Sequence, residues 1–258
     1  MSAGSDEHDS RLWYPVLGME IEQPVAVSVV VPVFDEIGNV DPLVERVRTA
    51  MDATGRSWEL ILVDDGSSDG SGERIDELAV ADSRIRALHF IHNFGQSAAM
   101  DAGFRHSRGR YVAFLDADLQ TYPEDIPGLL DELEKSGADA VVGIRVHRQD
   151  SGWKRFSSRF ANWVRNRLTR EDIADTGCPL KVFRGDAIRA IKMFNGMHRF
   201  LPTLLKMEGY TVIQVPVRHA PRQSGKSKYG TLDRAFRAFA DALAVRWMQN
   251  RHLDWKLK

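Results

Sequence analysis

The feature that most constrains this chain is an alternation, kept up from residue 25 to about 145, between short unbroken apolar runs and longer stretches of helical period. The runs at 27–33, 59–63, 86–91, 110–115 and 138–144 are rich in Val and Ile. Each has the length of a strand, and a run with no polar alternation suits a strand covered on both faces. Helix-period stretches fall between them, at about 39–53, 70–81, 96–107 and 124–136. Strand–helix alternation of this kind predicts an α/β domain with a mostly parallel sheet and helices on both faces. Ligands of such sheets bind beyond the carboxyl ends of the strands. The residues that end each run are therefore where chemistry is expected.

Those ends are acidic. The fourth run is followed at once by Asp116-Ala117-Asp118, with Gln120 two residues on and Pro123 placed to start the next helix. Two carboxylates one residue apart at the end of a buried strand repel each other and resist desolvation. A divalent cation removes both penalties. It also lets acidic side chains hold an acidic ligand such as a nucleotide diphosphate. The first run ends Pro32-Val33-Phe34-Asp35-Glu36, which alone would be an ordinary turn. The second ends Asp64-Asp65-Gly66-Ser67-Ser68-Asp69. There Gly66 permits a tight turn and Asp69 is placed to cap the next helix. Asp64 and Asp65 are both expected to face the cleft. The third run leads into Asn93-Phe94-Gly95-Gln96, a polar loop that opens a helix.

Past 145 the alternation breaks. A basic amphipathic helix is expected over 153–168, less regular structure over 172–200, a helix near 199–208, a strand over 210–217, a loop over 218–230 and a final helix over 231–250. The chain of 258 residues carries a net charge of only −1, but its cations gather here. Eight Lys or Arg lie between Arg145 and Arg170 beside one acid, Asp150, and ten lie between Arg218 and Lys258 beside three. That asymmetry points to an anionic partner: phosphate, membrane or nucleic acid. Cys178 is the only cysteine, so no intrachain disulfide can form. No stretch approaches the roughly 18 apolar residues of a membrane span, and the polar N-terminus lacks a signal sequence. A cytoplasmic protein with at most peripheral membrane contact is the expectation. Residues 1–24 read as a flexible arm, 25–230 as the main domain and 231–258 as a C-terminal helix for membrane or partner contact.

In order and spacing, Pro-x-Phe-Asp-Glu, Val-Asp-Asp-Gly-Ser-Ser-Asp, Asn-Phe-Gly-Gln and Asp-Ala-Asp-Leu-Gln-x-x-Pro resemble the motifs of family 2 glycosyltransferases of the GT-A fold. Asp175-Thr176-Gly177-Cys178-Pro179-Leu180-Lys181 and Arg222-Gln-Ser-Gly225-Lys226-Ser227-Lys228-Tyr229 narrow the likeness to the polyprenyl-phosphate (dolichyl-phosphate) sugar transferases. The resemblance implies a nucleotide-sugar site at Pro32, Val33, Phe34, Glu36, Asp65, Gln96, Asp116, Ala117 and Asp118, with Mg²⁺ or Mn²⁺ on Asp116, Asp118 and Gln120, whose amide oxygen is a further hard ligand. It also implies an acceptor side at Arg145, Arg222, Ser227 and Lys228, with Asp118, Asp175, Arg222 and Lys228 serving catalysis. Arg offers a bidentate fork to phosphate, and Ser and Lys add a hydroxyl and a point charge. For Arg145 a plain surface cation is an equal reading. Asp175 stands level between a catalytic base and an orienting residue, because a phosphate monoester, with a second pKa of about 6, needs no strong base.

The implied reaction is inverting transfer of a sugar from GDP-mannose or a UDP-sugar to a polyprenyl phosphate at the cytoplasmic membrane face. The 153–168 segment, with Trp153, Phe156, Phe160 and Trp163 on one side and cations on the other, suits a helix lying in anionic headgroups. A core-packing helix with a solvated face is equally compatible. Phe236, Phe239, Leu243 and Trp247 repeat the stripe in the last helix. Many relatives run on into membrane spans where this chain stops. Interfacial helices or a membrane-anchor partner would then supply attachment. A transferase with another glycan or lipid acceptor is the nearest alternative, and a non-catalytic sugar-nucleotide-binding scaffold a more distant one. A processive synthase would need Gln where Leu243 stands. Nucleic-acid binding has no supporting motif.

Overall fold

Every apolar run of the first half becomes a strand in the computed structural model, four of them inside the sheet and the third at its edge. The structure describes residues 24–146, 166–170, 172–220 and 231–253, the side chains of 231–237 excepted. In chain order, β1 (Val27–Val33), α1 (Ile37–Asp52), β2 (Trp58–Asp64), α2 (Ser71–Ala81), β3 (Ile85–His89), α3 (Gln96–His106), β4 (Tyr111–Phe114), α4 (Ile126–Ser136) and β5 (Ala140–Arg145) follow one another. Then come β6 (Lys181–Arg184), α5 (Gly185–Ala190), α6 (Leu201–Met207), β7 (Val212–Val217) and α7 (Thr231–Arg251).

The seven strands form one sheet in the order β3-β2-β1-β4-β6-β5-β7. Four parallel pairings join β3, β2, β1 and β4 on one side and β5 and β7 on the other. β6 runs antiparallel between β4 and β5, with Lys181 opposite both Phe114 and Val142. This corrects the expectation of less regular structure over 172–200. Four residues are too short a run to carry a period, so tertiary pairing makes this strand. The third strand also ends early, at His89 rather than 91, because residues 90–95 leave the sheet to form the loop before α3.

Alternate residues of β1 feed two cores. Val27, Val29, Val31 and Val33 pack with the apolar faces of α1, α2 and α4. Val30 packs on the opposite face with Met100 and Phe104 of α3, Leu201, Leu204 and Leu205 of α6 and Ala242 and Val245 of α7. Burying one such aliphatic or aromatic side chain is worth about 1.5–3 kcal/mol. This two-faced packing holds the strand ends, and the loops that leave them, along one rim of the sheet.

Candidate functional site

The rim is shaped by hydrogen bonds that tie one strand end to the next. Asp65 donates its backbone N–H to the Val33 carbonyl at 2.8 Å, joining the ends of β2 and β1. The Asp65 carboxylate is buried and accepts from Phe94 N at 2.7 Å, Gly95 N at 3.0 Å and Asn93 Nδ2 at 3.0 Å. It therefore fixes the loop ahead of α3, and burial lifts it above the usual carboxylate range. The close approach of that loop requires Gly66. This residue has φ 72°, and a Cβ on it would lie 2.5 Å from the His92 carbonyl carbon. Gly70, not Asp69, is the N-cap residue of α2, but Asp69 accepts from the first N–H of α1 and of α2, Ile37 N and Ser71 N, at 3.0 Å each.

Asp64 does not join Asp65 in the cleft, contrary to expectation. Successive side chains of a strand point to opposite faces. Asp64 is buried, accepting from Ser67 N at 2.9 Å and meeting His89 Nδ1 at 3.1 Å.

Beyond β4 the chain passes Asp116 and Asp118. Gln96, the first residue of α3, donates from Nε2 to Asp116 Oδ1 at 2.8 Å. Burial, and next the charge of Asp118, push Asp116 up to about 6. Lys181, the Gln96 amide and Arg145 act in the opposite sense on Asp116, and a divalent cation between the two carboxylates would favour the ionised form further. Among the described residues no group of three His, Cys, Asp or Glu could hold a metal ion by itself. A cation here would need oxygens beyond the two carboxylates, from Gln120 and from phosphates of a ligand, which is how Mg²⁺ and Mn²⁺ commonly sit on nucleotides. Gln120 donates its backbone N–H to Asp118 Oδ1 at 3.2 Å.

These ends enclose a cleft of about 250 Å³ lined by Pro32, Val33, Phe34, Glu36, Asp65, Asn93, Gly95, Gln96, Asp116, Ala117 and Asp118. All nine residues expected on the nucleotide-sugar side lie in that lining. Asn93 and Gly95 join them. The polar, Gly-containing form of their motif after a strand is the sequence signal for that place.

The second half adds charge beside this cleft. Arg145, the last residue of β5, donates from Nε and Nη2 to Asp175 at 2.7 Å each, and its backbone N–H also reaches Asp175 at 3.3 Å. The side chains are 14% and 10% exposed, which removes the reading of Arg145 as a plain surface cation. Lys181 opens β6 fully within the core, its ammonium donating to the Cys178 carbonyl and lying 5.8 Å from the Phe114 ring centroid. Burial lowers its pKa, while the charges of Asp116 and Asp175 act in the opposite sense.

The peptide leaving β7 is tied to the one leaving Asp118. Thr121 and His219 form an antiparallel bridge, and Ala220 N donates to the Gln120 carbonyl at 2.8 Å. Arg218 pairs with Asp125 at 2.6 Å and covers the Tyr122 ring at 4.8 Å. Arg222, Ser227 and Lys228 come next in the chain and lie outside the described residues, as do residues 1–23 and the amphipathic segment up to 165.

Residues 28–194 match the model of glycosyl transferase family 2. The chain belongs to that family. As a family 2 glycosyltransferase it is 40% identical over 227 residues to a dodecaprenyl-phosphate galacturonate synthase of Rhizobium johnstonii, covering 86% of this chain and 67% of that one. It is 41% identical over 207 residues to an undecaprenyl-phosphate 4-deoxy-4-formamido-L-arabinose transferase of Edwardsiella ictaluri, covering 80% and 63%. The chain thus spans about two thirds of the length of these curated relatives.

Solved structures share the GT-A fold at lower identity. One is a mannosyltransferase of Pyrobaculum calidifontis in complex with GDP-Man and Mn²⁺, with a TM-score of 0.63, 20% identity and coverage of 92% of this chain and 67% of that chain. Another is a glucosyl-3-phosphoglycerate synthase of Mycobacterium tuberculosis in complex with Mn²⁺, UDP and phosphoglyceric acid, with a TM-score of 0.65, 19% identity and coverage of 89% and 80%. No described helix of this glycosyltransferase is long and apolar enough to cross a membrane.

Proposed function

We propose that this glycosyltransferase moves a sugar, with inversion, from a nucleoside diphosphate to a polyprenyl phosphate at the cytoplasmic face of a membrane. The observation that carries this reading is the cleft itself. Asp65, Glu36 and the Asp116–Asp118 pair line it together, while Arg145 at the end of β5 is paired with Asp175. The curated relatives near 40% identity are named for dodecaprenyl-phosphate and undecaprenyl-phosphate, which supports a phosphorylated isoprenoid as acceptor.

In this reading Pro32, Val33, Phe34 and Asp65 hold the nucleoside, and Gln96 keeps Asp116 aimed at the diphosphate. Mg²⁺ or Mn²⁺ on Asp116, Asp118 and Gln120 would neutralise the diphosphate as it leaves. The acceptor phosphate, ionised at neutral pH because its second pKa is about 6, attacks the anomeric carbon without a strong base. Asp175 then serves as a positioning residue: both its oxygens are engaged by Arg145, whose guanidinium it aims toward the acceptor phosphate. Arg222, Ser227 and Lys228 complete the phosphate contacts and offset charge growing on the leaving group.

Peripheral attachment through the basic, aromatic 153–168 segment and the last helix fits a lipid acceptor. In α7, Phe239, Leu243 and Trp247 are 47%, 46% and 64% exposed, one stripe at four-residue spacing. An anionic leaflet or an anchoring membrane protein would cover it. The deciding experiment incubates purified protein with a panel of radiolabelled nucleotide sugars, Mn²⁺ or Mg²⁺ and a short polyprenyl phosphate. Label extracted into organic solvent is the expected result, and no extractable product with any donor overturns the proposal.

A further inference from the structure

We infer that His198 is a positioning residue for the donor cleft, acting through Ser97 on the helix start that carries Gln96. The inference rests on the proposed donor role of that cleft. Ser97 is buried in the first turn of α3, directly after the residue whose amide holds Asp116. Its Oγ lies 2.8 Å from His198 Nδ1 and accepts from Gly196 N at 3.1 Å, contacts that span about a hundred positions of sequence.

A serine hydroxyl has one proton and two lone pairs. With a lone pair taken by the Gly196 N–H, the proton of this buried hydroxyl goes to Nδ1, since leaving a buried donor unspent is costly. His198 is thereby held as the tautomer that accepts at Nδ1 and carries its proton on Nε2. The consequence runs back along α3. The first turn has no side-chain cap of its own, because Gly95 precedes it. The clamp of Ser97 by His198 and Gly196 therefore sets where that turn lies, and with it whether Gln96 Nε2 stays at 2.8 Å from Asp116. A helix start that drifts by about an ångström loses this hydrogen bond and leaves Asp116 without the amide that holds it.

Three variants separate this from simple packing. In His198→Asn the amide oxygen takes the place of Nδ1. In His198→Gln the terminal amide takes the place of Nε2, and Ser97→Ala removes the hydroxyl. Amide hydrogen exchange of residues 98–100 in the ligand-free protein reads the helix start. Calorimetric titration with UDP and with GDP, each with Mn²⁺, reads the cleft. His198→Gln and Ser97→Ala are expected to speed exchange and weaken nucleotide binding by about tenfold each, the scale of one lost buried hydrogen bond. His198→Asn is expected to stay within about twofold of the parent. The inference is overturned if His198→Asn is as impaired as His198→Gln, or if Ser97→Ala exchanges as slowly as the parent. If the parent binds neither nucleotide, the donor reading fails, while the exchange experiment still decides the clamp.

Discussion

Asp175 accepts two hydrogen bonds from Arg145, from Nε and Nη2 at 2.7 Å each, and so joins the end of β5 to the segment that leads into β6. Residues 30 positions apart become one planar unit, largely shielded from water. Removing one partner of a buried pair leaves the other charge uncompensated, at a cost of about 3–5 kcal/mol. Asp175→Ala is therefore expected to lower the urea midpoint clearly, and Asp175→Asn less, since the amide still offers one acceptor. As a positioning residue, Asp175 should raise the KM for polyprenyl phosphate in the Asn variant while the donor KM stays within about twofold. Loss of kcat alone, with both KM values unchanged, would show Asp175 to be a base.

Asp118 lines the cleft, where the proposed cation would sit. Asp118→Ala should abolish Mn²⁺-dependent nucleotide binding and cut turnover by about a hundredfold or more, the usual scale for removing one group that stabilises developing charge. Its thermal midpoint should stay close to the parent's or rise, because one of two repelling carboxylates is gone. Unchanged dependence of activity on Mn²⁺ would remove Asp118 from the metal site.

Cys178 is fully buried, and that burial pushes its thiol up to about 11. The thiolate is the reactive form, so native protein at pH 8 should resist iodoacetamide while urea-unfolded protein is labelled rapidly. The sign for stability follows from linkage. The unfolded thiol ionises near 8.5 and the folded one near 11, so between those values the unfolded chain has lost more protons and stability falls as pH rises. Cys178→Ala should flatten that part of the pH–stability curve. An equal slope in the variant would assign the alkaline loss to other groups.

Gly66 combines φ 72° with a backbone neighbour, the His92 carbonyl carbon, 2.5 Å from where a Cβ would stand. Gly66→Ala should cost about 2 kcal/mol or more in urea denaturation, from left-handed strain together with displacement of the 92–95 loop. Because Asp65 holds that loop, nucleotide affinity should fall in parallel. Gly70→Ala has a left-handed φ of 94° but no atom closer than 4.0 Å to its Cβ, and serves as the control for strain alone.

Much of the donor side was legible before any coordinates. β1, β2, β4 and β5 are apolar on both faces, so a continuous run identified each, and their acidic ends in a parallel sheet had to share one rim. The pairing of Arg145 with Asp175 was not legible. Nothing in the sequence near either residue names the other, and β6, which follows Asp175, is too short to show a period. The split of Asp64 from Asp65 escaped for a related reason. Adjacent carboxylates read as one motif, whereas the pleat sends them to opposite faces.

By itself the sequence determined what depends on local pattern: four helices and five strands in alternation, and the rim on which carboxylates collect. Hydrophobic period and turn chemistry act over a few residues, so they can be read along the chain. Only the tertiary structure decided the antiparallel insertion of β6, the Arg145–Asp175 pair, the bridge from Thr121 to His219 and the clamp of Ser97 by His198. Each of these joins residues about 30 to 100 positions apart. Their geometry comes from packing two cores against one sheet, and no local preference encodes it.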